Sequence, residues 1–174
     1  MLVAINPRDC RIATLGRDIV NAMFAMNFNN THMEKYFIKN DIKVFGIQVK
    51  TFPEGVGEVF GKLMNKITDG RERDYYGISY MNEDGKIFYF AAAAEKQTGE
   101  AEKYNCERYT IEKGEYLISS ITDWRQNLTC INDVFHEMMQ EENIDKTKPC
   151  IEWYKDDIEM WCMIKTIGNH IYST

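Results

Sequence analysis

The sequence predicts an α+β fold: two pseudo-symmetric β-α-β-β modules with an antiparallel sheet and a ligand cleft between them. Three observations predict it. A strand–helix–strand–strand order occurs twice, each copy holds an apolar stripe at helical spacing, and each ends on two β-rich runs joined by an acidic turn. The 174 residues have the length of one domain. The repeat places that domain over residues 34–174, with modules at about 34–95 and 106–167 and residues 1–33 as an N-terminal extension.

The first module opens on Ile42, Val44, Phe45, Ile47 and Val49, a β-rich run ending at Thr51-Phe52-Pro53-Glu54. Val56, Val59, Phe60, Leu63, Met64 and Ile67 then recur at the spacing of one helix face, and Asp69-Gly70 stops it. Tyr75 to Tyr80, the turn Asn82-Glu83-Asp84-Gly85, and Lys86 to Phe90 running into four alanines read as a hairpin. Asp-Gly between two β-rich runs is a strong hairpin signal.

The second module repeats the order. Glu115 to Ile121 reads as a strand, and Leu128, Ile131, Val134, Phe135, Met138 and Met139 trace a helical stripe. Cys150 to Tyr154 and Ile158 to Ile164 form a hairpin around Asp156-Asp157. The polar residues 96–105 connect the halves. In the extension, Leu15, Ile19, Ala22 and Met26 suggest a short amphipathic helix and Asn27 to Thr31 a loop. So short a segment cannot hold a core of its own and is read as a packing appendage.

Composition narrows the partners. The formal charge is −6 and the basic residues are scattered among more numerous acids. A duplex binder needs a basic stripe for its phosphate contacts, so direct nucleic-acid binding is not expected, whereas a neutral or cationic partner fits. No apolar run approaches the roughly 18 residues that span a bilayer, so no membrane partner is expected. The start MLVAINPRDCR does not read as a signal peptide. Five widely spaced cysteines then read as reduced thiols of a cytoplasmic protein.

Enzyme signatures appear only as near misses. His136-Glu137-Met138-Met139-Gln140 resembles a zinc-protease helix with Gln140 in place of the second ligand. With three scattered histidines and no CxxC pair, no metal is expected. Gly55, Gly57 and Gly61 miss the dinucleotide spacing, and Gly61-Lys62 is followed by Leu63 where a nucleotide loop needs Ser or Thr. No cofactor is expected.

Alternation along the strands assigns faces. With Asp156-Asp157 as a two-residue turn, Glu152 opposes Trp161 and Tyr154 opposes Glu159. One face then carries Glu152, Tyr154, Glu159, Trp161 and Met163, and the other carries Ile151, Trp153, Met160, Cys162 and Ile164 towards a helix. With Asp84-Gly85 as a turn, the first hairpin places Tyr76, Ile78, Tyr80 and Tyr89 outward and Tyr75, Phe88 and Phe90 towards its helix. Modules paired face to face would enclose an aromatic cleft with acids at one wall. Aromatic faces attract desolvated organic cations by up to about 2 kcal/mol. Taken singly, a strand Tyr or Trp reads as packing and Glu159 as solvated. Glu152 differs, because Ile151 and Trp153 flank it and acids are rarely buried unpaired.

The doubled β-α-β-β order, Tyr76-Gly77-Ile78-Ser79, Lys113-Gly114-Glu115-Tyr116, Pro149-Cys150-Ile151-Glu152-Trp153-Tyr154 and Glu159-Met160-Trp161 resemble the GyrI-like small-molecule-binding family. That family includes the effector-binding domains of AraC-type and MerR-type multidrug regulators. The resemblance covers about residues 34–167 and implies a pocket for lipophilic, often cationic, compounds. It places the pocket's central acid at Glu152, its tyrosine at Tyr154 and its last-strand aromatic at Trp161, with Glu159 beside it and first-module aromatics at Tyr76 and Tyr89. Cys162-Met163-Ile164 stands where the family commonly has a proline after that aromatic. No DNA-reading domain accompanies the modules, so a DNA-binding regulator would act in trans. Two functions follow: a module that senses or sequesters a lipophilic cation, or a small hydrolase of reactive electrophiles with Glu152 as general base and Tyr154 as proton donor. No nucleophile constellation accompanies them, which favours binding.

Overall fold

The computed structural model describes residues 32–82 and 84–168. The helix expected at Leu15 to Met26 lies outside the described residues. The strands are β1 (Met33–Ile38), β2 (Ile42–Gln48), β3 (Tyr75–Met81), β4 (Ile87–Ala94), β5 (Glu107–Ile111), β6 (Gly114–Thr122), β7 (Cys150–Tyr154) and β8 (Glu159–Lys165). The helices are α1 (Val56–Lys66), the single turn α2 (Glu100–Lys103) and α3 (Leu128–Met138). All eight strands join one antiparallel sheet in the order β1-β6-β8-β7-β3-β4-β2-β5.

The two modules are therefore β2-α1-β3-β4 and β6-α3-β7-β8, as the repeat predicts. They meet edge to edge through β3 and β7, with Gly77 opposite Glu152. The hairpins thus form one continuous antiparallel sheet, the arrangement the repeat predicts, and the modules do not face one another. Two further strands escape the sequence reading. β1, at the start of the first module's span, pairs with β6 of the second, and β5, at the start of the second's, pairs with β2 of the first. The sheet curls enough that Ile38 of β1 and Ile111 of β5, from opposite edge strands, share one core with Val44, Tyr116 and Ile118. At that end the Lys113 N–H donates to Asp41 Oδ1 at 2.8 Å, tying the two crossing loops together.

Both helices cover the same face. α1 buries Leu63, followed by Ile67, against Phe45, Tyr75 and Ala93, while α3 lays Ile131, Val134, Phe135 and Met138 on Cys150, Met160, Cys162 and Ile164. Ala91 and Ala93 of β4 carry so little bulk on that face that α1 can approach the sheet closely. The opposite face has a core drawn from strand residues only, including Tyr76, Phe90, Ile118, Ile151 and Met163.

The hairpin turns are longer by an odd number than the sequence suggests. Asn82 to Lys86 joins β3 to β4: the Asn82 N–H donates to the Lys86 carbonyl, the Lys86 N–H donates to Asn82 Oδ1, and Gly85 takes φ 75°. Between β7 and β8, Asp156 Oδ1 accepts the N–H groups of Ile158 and Glu159, each at 2.7 Å. The pairs become Ser79–Tyr89, Glu152–Cys162, Trp153–Trp161 and Tyr154–Met160. A one-residue slip moves every side chain of the returning strand to the other face. Tyr89 thus leaves the face of Tyr76, Trp161 and Glu159 leave the face of Glu152 and Tyr154, and Phe88, Phe90, Ile151 and Trp153 point away from the helices.

Candidate ligand site

The corrected register brings Glu152, Tyr154 and Tyr89 together beneath the helices, where the modules join. Gly77 makes this possible. A Cβ there would lie 2.1 Å from Tyr89 Oη and 2.7 Å from Glu152 Oε2, so only glycine lets the ring of Tyr89 cross β3 and reach the acid on β7. The Tyr89 hydroxyl donates to Glu152 Oε2 at 2.7 Å, the Tyr154 hydroxyl donates to the same oxygen, and the two phenol oxygens lie 3.2 Å apart. Glycine inside a strand often marks such a close approach. Gly77→Ala is expected to cost about 1–3 kcal/mol, because the displaced ring has no free space to enter. Urea unfolding checks this, and an unchanged midpoint would show that the crossing is not constrained.

Aromatic rings pack on the two phenols that hold the acid. Phe52, from the segment between β2 and α1, stacks on Tyr89 with centroids 4.9 Å apart. Phe60 of α1 meets Tyr154 edge-on at 5.2 Å, and Trp124, between β6 and α3, tilts over Tyr154 at 4.9 Å. The Trp124 indole N–H donates to the Asp156 carbonyl at 3.0 Å, which fixes its ring. The sequence reading missed Phe52, Phe60, Trp124 and Gly77 as site residues. Only Gly77, a glycine in the run Tyr75 to Tyr80, carried a local signal.

Electrostatically the acid is isolated. Glu152 is 8% exposed, and burial pushes its carboxyl above the usual range, while the hydrogen bonds from Tyr154 and Tyr89 pull the other way. Burial and the neighbouring carboxylate raise both phenols well above their ordinary value. None of the ion pairs among the described residues includes Glu152. Cys162, directly across the β7–β8 ladder, is fully buried, and burial pushes its thiol well up, so it is a poor nucleophile. Among the described residues no group of His, Cys, Asp or Glu could hold a metal ion.

The other three predicted residues stand together on the opposite face. Tyr76 packs on Trp153 at 5.6 Å, Trp153 meets Trp161 at 5.4 Å, and the Trp161 indole donates to Glu159 Oε1 at 2.9 Å. The predicted set is split by the sheet into two groups.

No protein-family model and no curated protein matches the sequence. Solved structures do match the fold. An integron cassette protein from the mobile metagenome of Vibrio cholerae superposes with a TM-score of 0.57 at 18% identity, over 77% of this chain and 95% of its own. A protein named SAV2435, solved bound to tetraphenylphosphonium, gives 0.58 at 15% identity over 82% and 99%. A hydrolase from Listeria innocua gives 0.52 at 10% identity over 83% and 96%. At these identities the likeness concerns the fold alone. The chain has the mixed α+β architecture, with its curled eight-stranded antiparallel sheet, of a GyrI-like fold.

Proposed function

We propose that the protein binds a lipophilic organic cation, with Glu152 as its counter-charge and Tyr89, Tyr154, Phe52, Phe60 and Trp124 as its aromatic walls. One observation carries this reading: a carboxylate buried at the module junction with two phenols on it and, among the described residues, no cationic side chain paired to it. A buried charge is retained where something compensates it, and a bound cation supplies that compensation. The solved neighbour SAV2435, of the same fold, is bound to the lipophilic cation tetraphenylphosphonium. Phe52 packs on Tyr89 and Phe60 on Tyr154, so a ligand that reaches the acid between the phenols displaces these rings. Sensing and sequestration both follow from such a site.

Hydrolysis draws less support from the geometry. A proton donor is best with an acidity near the working pH, and Tyr154 is shifted away from it. Among the described residues no activated nucleophile adjoins Glu152.

Isothermal titration of tetraphenylphosphonium should give a dissociation constant in the micromolar range, on the order of −8 kcal/mol. Triphenylphosphine oxide, neutral and of similar bulk, should bind far more weakly. Cation affinity should fall as pH falls through the raised value of Glu152, because protonation removes the counter-charge. Equal affinity for both compounds, or a cation affinity unmoved by pH, would sink the proposal.

A further inference from the structure

Two exposed apolar side chains flank Trp124, the tryptophan that tilts over Tyr154. Ile158 is 57% exposed and Leu128 is 42% exposed. The Trp124 backbone N–H donates to the Ile158 carbonyl at 3.5 Å, and Leu128 opens α3 directly after Asn127, whose N–H donates back to the Trp124 carbonyl. Trp124 itself is half-buried, with the Arg125 guanidinium 4.8 Å from its ring centroid. Arg125 also pairs with the exposed Asp157, which gives the apolar side chains a polar rim. An exposed apolar patch with such a rim marks an interaction surface. The chain enters the sheet beside it. Met33, the first residue of β1, stands opposite Ser119, so the residues before it arrive past the Ile121–Thr122 end of β6, the end from which Trp124 follows. Met33 and Trp124 pack against the same buried cluster, which includes Ile121 and Ile131.

We propose that the chain covers this patch itself: the N-terminal segment carrying Leu15, Ile19, Ala22 and Met26 docks on Leu128, Ile158 and Trp124 and closes that side of the candidate ligand site. Ten of the fifteen residues 12–26 are apolar, so the segment gains by burial against any apolar surface within reach. Reach selects the surface. The six residues Asn27 to His32 tether Met26 within about 25 Å of Met33. A tether this short gives an effective concentration in the millimolar range, so even a weak contact is largely formed. Docked there, the segment holds Trp124 against Tyr154, and a ligand approaching from that side waits for its release. The docking stands on the patch, the tether and the composition of the segment, whereas its effect on the ligand rests on the proposed function.

The test uses the full-length protein, with the indole N–H signals of Trp124, Trp153 and Trp161 followed by nuclear magnetic resonance. Ile19→Glu should shift Trp124 and leave Trp153 and Trp161, on the helix-free face, in place. Leu15→Glu, on the same stripe, should reproduce the shift, and Arg17→Glu, off the stripe, should not. In an Ile158→Glu background, where the patch is already spoiled, Ile19→Glu should add nothing, because residues in contact are not additive. Tetraphenylphosphonium should associate about tenfold faster with Ile19→Glu than with wild type, since a required opening slows association. The docking is overturned if Ile19→Glu leaves Trp124 in place, or if its effect is as large in the Ile158→Glu background. A shifted Trp124 with an unchanged association rate overturns the closure of the site. If tetraphenylphosphonium binds none of these proteins, the proposed function fails, and the Trp124 signal still decides the docking.

Discussion

Arg73→Met is expected to lower folding stability by about 3–5 kcal/mol, the usual consequence of stripping one partner from a buried ion pair. Arg73 stands just before β3. Its side chain is 3% exposed and that of Glu100 is 6% exposed. The guanidinium meets both Glu100 oxygens, at 2.7 and 2.5 Å, and also donates to the Ala94 carbonyl and to Asp69. The contact with Arg73, with further backbone hydrogen bonds, holds the Glu100 carboxyl down to about 2. A carboxyl depressed in the folded state contributes stability that is fully present above its ordinary value near 4.5, and that contribution is lost as pH falls towards 2. Wild type should therefore lose stability over that acidic window, and Arg73→Met should lose less across it, having little of the pair left to lose. Replacing Glu100 by Met as well should recover much of the loss, because an apolar pair leaves no charge stranded. Urea titrations of the single and double variants decide it. A single-variant cost below about 1 kcal/mol would show that the pair is screened like a surface bridge.

The large features of the fold were legible because they rest on long periodic patterns. The stripe from Val56 to Ile67 and that from Leu128 to Met139 are apolar at every turn, and each does face the sheet at its centre. Only the margins, Met64 and Leu128, are exposed. β1 and β5 were not legible. Their sequences, MEKYFI and ERYTI, alternate poorly and carry charge because each lies at an edge of the sheet with one flank open to water. The side-chain faces failed for a different reason. An acidic turn signals a hairpin but not the parity of its loop, and the side chains of Asn82 and Asp156 capture nearby backbone N–H groups to build longer turns. One residue of parity moved Tyr89 onto the face of Glu152 and moved Trp161 and Glu159 off it. Phe52, Phe60 and Trp124 could not be found at all from spacing, since only tertiary folding brings a loop, a helix and a second loop onto the phenols of Tyr89 and Tyr154.

Glu152→Gln should change stability and affinity in opposite directions. In wild type the buried carboxyl has a raised value, so the folded state holds its proton more tightly than the unfolded chain does. Stability then declines as pH rises from the ordinary value near 4.5 up to the raised one, and stays reduced at neutral pH. The amide keeps the shape and an oxygen that can accept from Tyr89 and Tyr154, but it has no proton to release. The variant should lack this decline and be more stable than wild type at neutral pH. Tetraphenylphosphonium should meanwhile bind it about 30- to 150-fold more weakly, a loss of roughly 2–3 kcal/mol for a desolvated charge pair. Triphenylphosphine oxide should bind both proteins alike. These outcomes separate charge recognition from packing. If the cation and the neutral compound weaken together, Glu152 acts by shaping the site, and the phenols and rings around it carry whatever binding remains. If the cation alone weakens while stability rises, the acid is costly to the empty protein and useful to the loaded one, which is the thermodynamic signature of a residue kept for its ligand.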